Sequence, residues 1–283
     1  MDKVKYVYKS LEDFLISKEL SIDYIATDGW VGDYPVKGCE IDASILFADI
    51  SGFSKRTINL SSTATMFFVN HFFSWITGEA LQNVPCIIDK YIGDEIMIIF
   101  SNEFGSVNHF ADALTVAKGF IEYDEWGFSP HIGISSGVVT VGYVGTPKMY
   151  NCSVFGKPVA LAKRCATEVA KARMIVFPVV NCDRSLVEPI FASKKDADKS
   201  FSRRPNEEWH FYEPENVELN NMGNYDVCKV QKEDTIGFIF NVKEDGSLGD
   251  SITIEQHISS LLRNLEDSGR YRPSKAYIHK KRE

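Results

Sequence analysis

The stretch LFADISGFSKRT, residues 46–57, places an acid, Asp49, at the end of an apolar run. The run is typical of a buried strand, and the Ser-Gly pair after the acid is typical of a tight turn. A second stretch, KYIGDEIMIIF at 90–100, is organised in the same way, because Asp94 lies beside a glycine between two apolar segments. A turn residue would explain either acid alone. It does not explain why both segments share an apolar strand, an acid and a neighbouring glycine.

The segments around these acids predict alternating strands and helices. In chain order they are a strand at about 41–50, a helix with Ser62 as N-cap and Met66, Val69, Phe73, Ile76 and Ala80 on one face, a hairpin at 84–100, a helix at 106–123 and a hairpin at 130–144 that turns near Ser136-Gly137. This βαββαβ order is that of ferredoxin-like α+β folds. In such a sheet the first strand neighbours the 84–100 hairpin, so we expect Asp49 and Asp94 at one edge.

Composition narrows the class of partner. The chain of 283 residues has 31 basic and 39 acidic residues, a net charge of -8, which argues against a nucleic-acid surface. No apolar run approaches the length of a membrane span. The six cysteines form no CxxC pair, so we expect buried free thiols in a cytoplasmic protein.

Asp49 and Asp94 together predict a metal site. Paired carboxylates without a nearby His or Cys in the sequence suit a hard cation such as Mg²⁺. Two such ions about 3.5–4 Å apart are a common device for in-line displacement at phosphorus.

Four segments then identify a family. FADISGFSKRT, KYIGDEIMIIF and HIGISSGVVTVGYVG followed by FGKPVALAKRC resemble, in order, the motifs of class III nucleotidyl cyclases. The resemblance covers about residues 41–230 and implies a homodimer with active sites at the subunit interface. It also implies two Mg²⁺ or Mn²⁺ ions per site and conversion of a nucleoside triphosphate to a 3′,5′-cyclic monophosphate plus pyrophosphate. The chain then divides into an N-terminal helix (4–20) and linker (26–38) at 1–39, a cyclase domain at 40–230 and a C-terminal extension at 231–283 with a helix capped at Thr253.

The resemblance assigns roles to residues near the first acid. Asp49, Asp94 and the backbone oxygen of Ile50 would hold both metals. The amide groups of a turn would face the β- and γ-phosphates, and its small glycine allows their close approach. The residues of that turn are Ser51, Gly52 and Phe53.

Two catalytic positions of the family differ in their agreement. Arg164 matches the arginine that stabilises the transition state, whereas Ala160 replaces the asparagine that orients the ribose. Asn220 occupies the place of a triphosphate-binding lysine. Three lysines are candidates to replace it, Lys148, Lys157 and Lys163.

Lys90 and Ser153 occupy the two positions that read the base. Adenylyl cyclases carry Lys and usually Asp there, and guanylyl cyclases carry Glu at the first position. Lys90 offers only donors, which disfavours guanine, and Ser153 is a poor replacement for the acid that accepts from adenine. Uracil fits, with Lys90 on O4 and Ser153 on N3–H, and cytosine is a further option with Lys90 on N3 or O2.

This pair of residues makes the chain resemble the pyrimidine cyclases of bacterial anti-phage signalling. The product would be cUMP or cCMP, which would activate a separate effector protein. We expect UTP to be preferred, then CTP, then ATP, with GTP poorest. Two alternatives stay open, namely an adenylyl cyclase with an altered pocket and a catalytically inactive cyclase-like domain that binds nucleotide as a sensor.

Overall fold

The computed structural model describes residues 7–30, 32–81, 84–124, 127–146, 148–181, 184–191, 209–232 and 254–269. Its helices are α1 Leu11–Ile16, α2 Phe53–Thr57, α3 Ser62–Trp75, α4 His109–Glu122, α5 Lys157–Arg164, α6 Arg184–Phe191 and α7 Ile254–Asp267. Its strands are β1 Ile22–Asp28, β2 Gly32–Asp49, β3 Ile87–Ile92, β4 Glu95–Ser101, β5 His131–Thr146, β6 Met149–Phe155, β7 Met174–Pro178, β8 Trp209–Phe211, β9 Glu215–Leu219 and β10 Gly223–Lys232.

The strands form one sheet in the order β3-β4-β2-β5-β7-β10-β8. Its first four strands, with α3 and α4 as connections, have the βαββαβ arrangement of a ferredoxin-like fold, so the predicted α+β class is confirmed. β2 lies at the centre, antiparallel to both β4 and β5. β6 adds an extra hairpin strand to β5, and β1 adds one to β2.

The alternation of side chains along β2 determines what each face of the sheet buries. Leu46 and Ala48 point to one face and pack in a core with aromatic residues of α3 and the apolar side of α4. Ile45 and Phe47 point to the other face, where α1 and α5 cover them. Asp49 continues this second series at the end of the strand, so its carboxylate emerges where that core stops.

The predicted N-terminal helix and linker are largely wrong. Within the described residues the helix is only Leu11–Ile16, because Ser10 caps its start, accepting a hydrogen bond from the amide of Asp13 at 3.1 Å. Residues 26–28 and 32–38 are not a linker but strand residues of the β1–β2 hairpin, and β2 runs without a break through residues 39 and 40. Turn-forming residues dominate this segment, yet pairing of the two strands overrides their local preference.

The predicted hairpin at 130–144 is also wrong, because β5 is one continuous strand. Ser136 and Gly137 pair with Ser44 and Ala43 of β2, so no turn forms there. Gly137 has φ 148°, and Asn181 Oδ1 accepts the amide of Ser136 at 3.1 Å at this irregular point. The chain reverses later, between β5 and β6.

Smaller differences concern α3 and the flanks. The N-cap is Ser61, not Ser62, and the buried residues of the helix are Phe68, Phe72 and Trp75, whereas Met66 is exposed. The predicted cap at Thr253 lies outside the described residues. Within the described residues, Cys39, Cys86, Cys152 and Cys165 are buried thiols outside any disulfide, and Cys228 is partly buried. Among the described segments, no helix combines the length and the apolarity that crossing a membrane requires.

Candidate functional site

The fold brings Asp49 and Asp94 together at one edge of the sheet. Asp49 ends β2, and Asp94 lies in the turn between β3 and β4, the strand paired with β2. Burial raises the pKa of Asp94 to about 8, and the adjacent Asp49 carboxyl adds to the shift. Burial opposes ionisation of Asp49 as well, but interactions with His131 and Asp94 outweigh it and lower its pKa.

The two carboxyls fit a divalent cation in their burial and in their hydrogen bonding. Asp49 Oδ1 is buried and has no hydrogen-bond partner among the described residues. Two close carboxyls with one proton between them, and a buried oxygen without a donor, fit a divalent cation. No group of three or more His, Cys, Asp and Glu side chains suited to a metal occurs within the described segments. The pair therefore suits Mg²⁺ or Mn²⁺, which takes further oxygens from phosphates and water.

Three further side chains lie near the two acids and are not predicted as their neighbours from the sequence, namely His131, Lys163 and Glu95. His131 starts β5 directly opposite Asp49, with its Nε2 3.5 Å from Asp49 Oδ2. Lys163 reaches down from α5 to form an ion pair with the buried Glu95, and its charge helps lower the pKa of Asp49. His131 could be predicted only from the register of β2 and β5, which pairs the first residue of β5 with the last residue of β2.

The turn after Asp49 has the form expected of a phosphate-facing loop. Gly52 has φ 65°, a left-handed conformation that favours glycine, and it begins α2. The Ile50 carbonyl accepts the amide of Phe53 at 3.3 Å, so one lone pair of this predicted metal ligand is already used. The Ser51 hydroxyl donates to the Ser129 carbonyl at 2.5 Å, which fixes the turn against the segment before β5.

A buried arginine supports this turn from below. Arg56 is 1% exposed, stacks over the ring of Phe68 at 4.8 Å and donates to the Phe128 carbonyl at 3.3 Å. The partly buried Asp124 accepts hydrogen bonds from the amides of Phe128 and Ser129. The turn therefore rests on a fixed platform rather than on a mobile loop.

Lys90 and Ser153, predicted to read the base, are in direct contact. Lys90 Nζ donates a hydrogen bond to Ser153 Oγ at 2.6 Å, which connects β3 with β6, two strands that do not pair with each other. Asp89 touches both and was not recognised from the sequence. The sequence does not predict this contact, because Asp89 and Lys90 would point to opposite faces of a regular strand.

Arg164 contacts Glu168 rather than Asp49 or Asp94. Its Nη1 forms an ion pair with Glu168 Oε1 at 2.5 Å, and Glu168 Oε2 accepts the amide of Asn220 at 2.9 Å. The positions of the family's arginine and triphosphate lysine thus meet at Glu168. Ala160, at the asparagine position, is exposed on α5. Of the candidate lysines, Lys157 covers the ring of Tyr225 and Lys148 is exposed.

Comparison with known proteins gives a consistent family. Residues 39–186 match the model of the adenylate and guanylate cyclase catalytic domain. An adenylate cyclase of Anabaena cylindrica is 27% identical over 181 residues, which are 58% of this chain and 34% of that protein. The terminal-differentiation-specific adenylate cyclase of Dictyostelium discoideum is 27% identical over 173 residues, 56% of this chain and 8% of that protein. The chain thus spans about a third or less of the length of these relatives.

Solved structures share the fold. The guanylyl cyclase Cya2 superposes with a TM-score of 0.54 at 16% identity, covering 71% of this chain and 98% of that one. The adenylyl cyclase CyaB from P. aeruginosa gives a TM-score of 0.51 at 18% identity, with 70% and 97% covered. Both substrate classes occur among these neighbours, so the shared fold does not select a base.

Proposed function

Because the chain belongs to the adenylate and guanylate cyclase catalytic domain family, we propose that it cyclises a pyrimidine nucleoside triphosphate, UTP before CTP. The products are the 3′,5′-cyclic monophosphate and pyrophosphate. The observation that carries the choice of base is the contact between Lys90 Nζ and Ser153 Oγ at 2.6 Å. It presents an ammonium donor and a hydroxyl side by side, which matches O4 and N3–H of uracil.

Asp49 and Asp94 would hold two Mg²⁺ or Mn²⁺ ions. When bound, such ions favour deprotonation of the ribose 3′-OH and neutralise charge on the triphosphate. The contribution of this chain is to keep both carboxylates at one sheet edge, with the pKa of Asp49 lowered. The amides of the turn formed by Ser51, Gly52 and Phe53 orient the β- and γ-phosphates.

The active site takes residues from two copies of the chain. The ion pair of Arg164 with its own Glu168, rather than with the carboxyl pair, supports a role on substrate held by the other copy. A guanidinium there stabilises charge on the phosphoryl group as pyrophosphate leaves. We assign the cyclase domain to residues 40–230, with the β1–β2 hairpin continuous with it, and regard the protein as cytoplasmic.

The decisive experiment is a competition among substrates. Purified protein receives equal UTP, CTP, ATP and GTP with Mn²⁺, and the cyclic products are identified by mass. We expect mainly cUMP, then cCMP, with little cAMP and least cGMP. Predominant cAMP or cGMP would overturn the choice of a pyrimidine, and no cyclic product from any of the four would overturn the cyclase activity and favour the nucleotide sensor.

An adenylyl cyclase is the second candidate, because the two curated relatives named above are adenylate cyclases. Adenine would use Lys90 at N1 and would need an acceptor for its amino group. The Ser153→Asp variant separates the candidates. It should shift preference from UTP toward ATP or CTP if the pocket is built for uracil, whereas in an ATP enzyme it should raise activity with ATP that is already dominant.

The product would act as a second messenger in anti-phage signalling, through a separate effector protein. The test is measurement of cyclic nucleotides in cells that carry the protein, before and after phage infection. We expect cUMP to rise on infection in the wild type and not in the Asp49→Ala variant. An unchanged level in infected wild-type cells would contradict this role.

A further inference from the structure

Asp89 occupies an irregular position on β3 next to the base-reading pair. Ile88 lies opposite Ile98 of β4, whereas Lys90 lies opposite Met97, so Asp89 is an extra residue in the ladder. In a regular strand, consecutive side chains point to opposite faces. A bulge re-aims a side chain, and such bulges are frequent beside active sites. Here it allows Asp89 and Lys90 to reach the same serine.

The three side chains form a closed set of contacts. Asp89 Oδ2 lies 2.9 Å from Lys90 Nζ and accepts a hydrogen bond from Ser153 Oγ at 3.2 Å. The Asp89 side chain is 1% exposed, whereas that of Lys90 is 36% exposed. The carboxylate is therefore buried, and the lysine side chain is partly exposed. Asp89 Oδ1 is buried and has no hydrogen-bond partner within the described segments.

The contact with Asp89 decides what Ser153 can offer to a base. A hydroxyl has one proton and two lone pairs. When its proton is donated to Asp89, the oxygen can only accept, and one lone pair already receives Lys90. The remaining lone pair is directed to a donor such as the N3–H of uracil.

We propose that Asp89 is a positioning residue that fixes Ser153 as a hydrogen-bond acceptor for the base. This inference rests on the proposed pyrimidine nucleotide pocket and deepens it. The acid that adenylyl cyclases usually carry at the Ser153 position is then not simply lost. Its negative charge is supplied by Asp89 of β3, one hydrogen bond further from the base.

The test measures UTP binding in Ca²⁺, so that affinity is read separately from turnover. Asp89→Asn keeps the size of the side chain but lets its amide donate to Ser153, which frees the hydroxyl to rotate. We expect the Kd for UTP to rise about tenfold, because one buried donor or acceptor loses its partner, while kcat with Mn²⁺ changes less. Unchanged UTP affinity in a folded Asp89→Asn variant would overturn the proposal.

A double-mutant cycle separates positioning from a direct or general effect. If Asp89 acts through Ser153, Asp89→Asn adds nothing to Ser153→Ala, and the double variant binds UTP as the single one does. An equal further loss in the double variant would overturn the proposal. Asp23→Asn is the matched control, because Asp23 pairs with Lys37 at the same 2.9 Å on the β1–β2 hairpin. It should leave UTP affinity unchanged.

A probe that needs no change at Asp89 covers the case in which that variant does not fold. N3-methyl-UTP lacks the proton that Ser153 would accept, so wild-type protein should bind it about tenfold more weakly than UTP. In Ser153→Ala the two nucleotides should bind alike. Equal binding to the wild type would overturn the proposal.

Failure of the proposed function has a different signature. Wild-type protein that binds UTP with these dependences but forms no cUMP supports the role of Asp89 and contradicts the cyclase activity. Wild-type protein that forms cAMP and binds neither UTP nor CTP contradicts both the pyrimidine pocket and the role of Asp89.

Discussion

The candidate site has two ends whose acids have different neighbours. They are the proposed metal end, with Asp49 and Asp94, and the proposed base end, with Asp89, Lys90 and Ser153. At the metal end, Asp49 and Asp94 face each other, and burial together with that neighbour raises the pKa of Asp94 to about 8. At the base end, Asp89 has the ammonium of Lys90 at 2.9 Å and a donated hydroxyl from Ser153. The carboxylate at the base end is thus paired with a cation of its own chain, whereas the two acids at the proposed metal end lie close to each other and fit a bound cation.

The largest expected effect removes one acid from the metal end. Asp49→Ala or Asp94→Ala should lower turnover by at least about a thousandfold, because a metal contribution of several kcal/mol to the barrier is lost. Melting should stay near that of the wild type, since the substitution removes a carboxyl at the end of the sheet rather than apolar core packing. The measurements are cyclic nucleotide formation with Mn²⁺ and thermal unfolding.

Asp89→Asn is the natural control for this loss. It should weaken nucleotide binding without abolishing turnover, so that the two ends differ in kind. Normal turnover in a folded Asp49→Ala or Asp94→Ala protein would remove the metal assignment and the contrast with it.

A mixture of two inactive variants tests whether the ends of one site belong to different copies. Asp49→Ala and Arg164→Ala should each be inactive alone. After subunit exchange, half of the dimers are mixed and each has one intact site, so activity should return to about a quarter of the wild-type rate. Absence of rescue, with exchange demonstrated by differently tagged copies, would contradict sites shared between copies.

The proximity of Asp49 and Asp94 could be predicted from the sequence because it follows from the topology. An apolar strand that ends in Asp49, and a hairpin that turns at Asp94, must meet once the βαββαβ order is recognised. The base end was predictable only in part. Lys90 and Ser153 were found by resemblance, but Asp89 depends on a bulge, and a bulge is one extra residue in a ladder with no fixed sequence signature.

The errors in the fold have a related physical origin. Ser136-Gly137 has the composition of a turn, but pairing with Ser44 and Ala43 keeps β5 continuous. Pairing and burial of a strand outweigh the local preference of its residues for a turn. The prediction of a linker at 26–38 fails for the same reason, because residues of this segment pair in the β1–β2 hairpin despite their preference for turns.

The stability of the metal-free protein should depend on pH through Asp94. Its pKa is about 8 in the folded state against an ordinary value of 3.8, so between these values the folded state holds a proton that the unfolded state releases. Stability is therefore greatest below this window and is lost as the pH rises through it. Unfolding midpoints of the wild type with EDTA should fall more steeply from pH 5 to about 8 than those of Asp94→Asn.

Two comparisons make this effect specific. Burial lowers the pKa of His71 to about 4, which gives a slope of the opposite sign, but His71 is common to both proteins and cancels in the difference. Asp89→Asn should keep the difference from Asp94→Asn, because it leaves both acids of the proposed metal end in place. The same slope in wild type and Asp94→Asn would show that the two acids at the metal end do not share a proton.

The smallest expected effect concerns the missing triphosphate lysine. Asn220 is exposed, and its amide is held by Glu168, the partner of Arg164. Asn220→Lys adds a charge beside that arginine, at the position where the family places its triphosphate lysine. Because the new charge is exposed and screened, we expect KM for UTP to fall only about two- to fivefold, with kcat little changed.

Asn224→Lys makes the same change of charge at an exposed position further along the β9–β10 hairpin and should leave KM as it is. The gain should also fade in about 1 M salt, where the Debye length is about 3 Å. An equal effect of both lysines would mean that net charge alone attracts the substrate, and the position of Asn220 would then carry no information about the triphosphate.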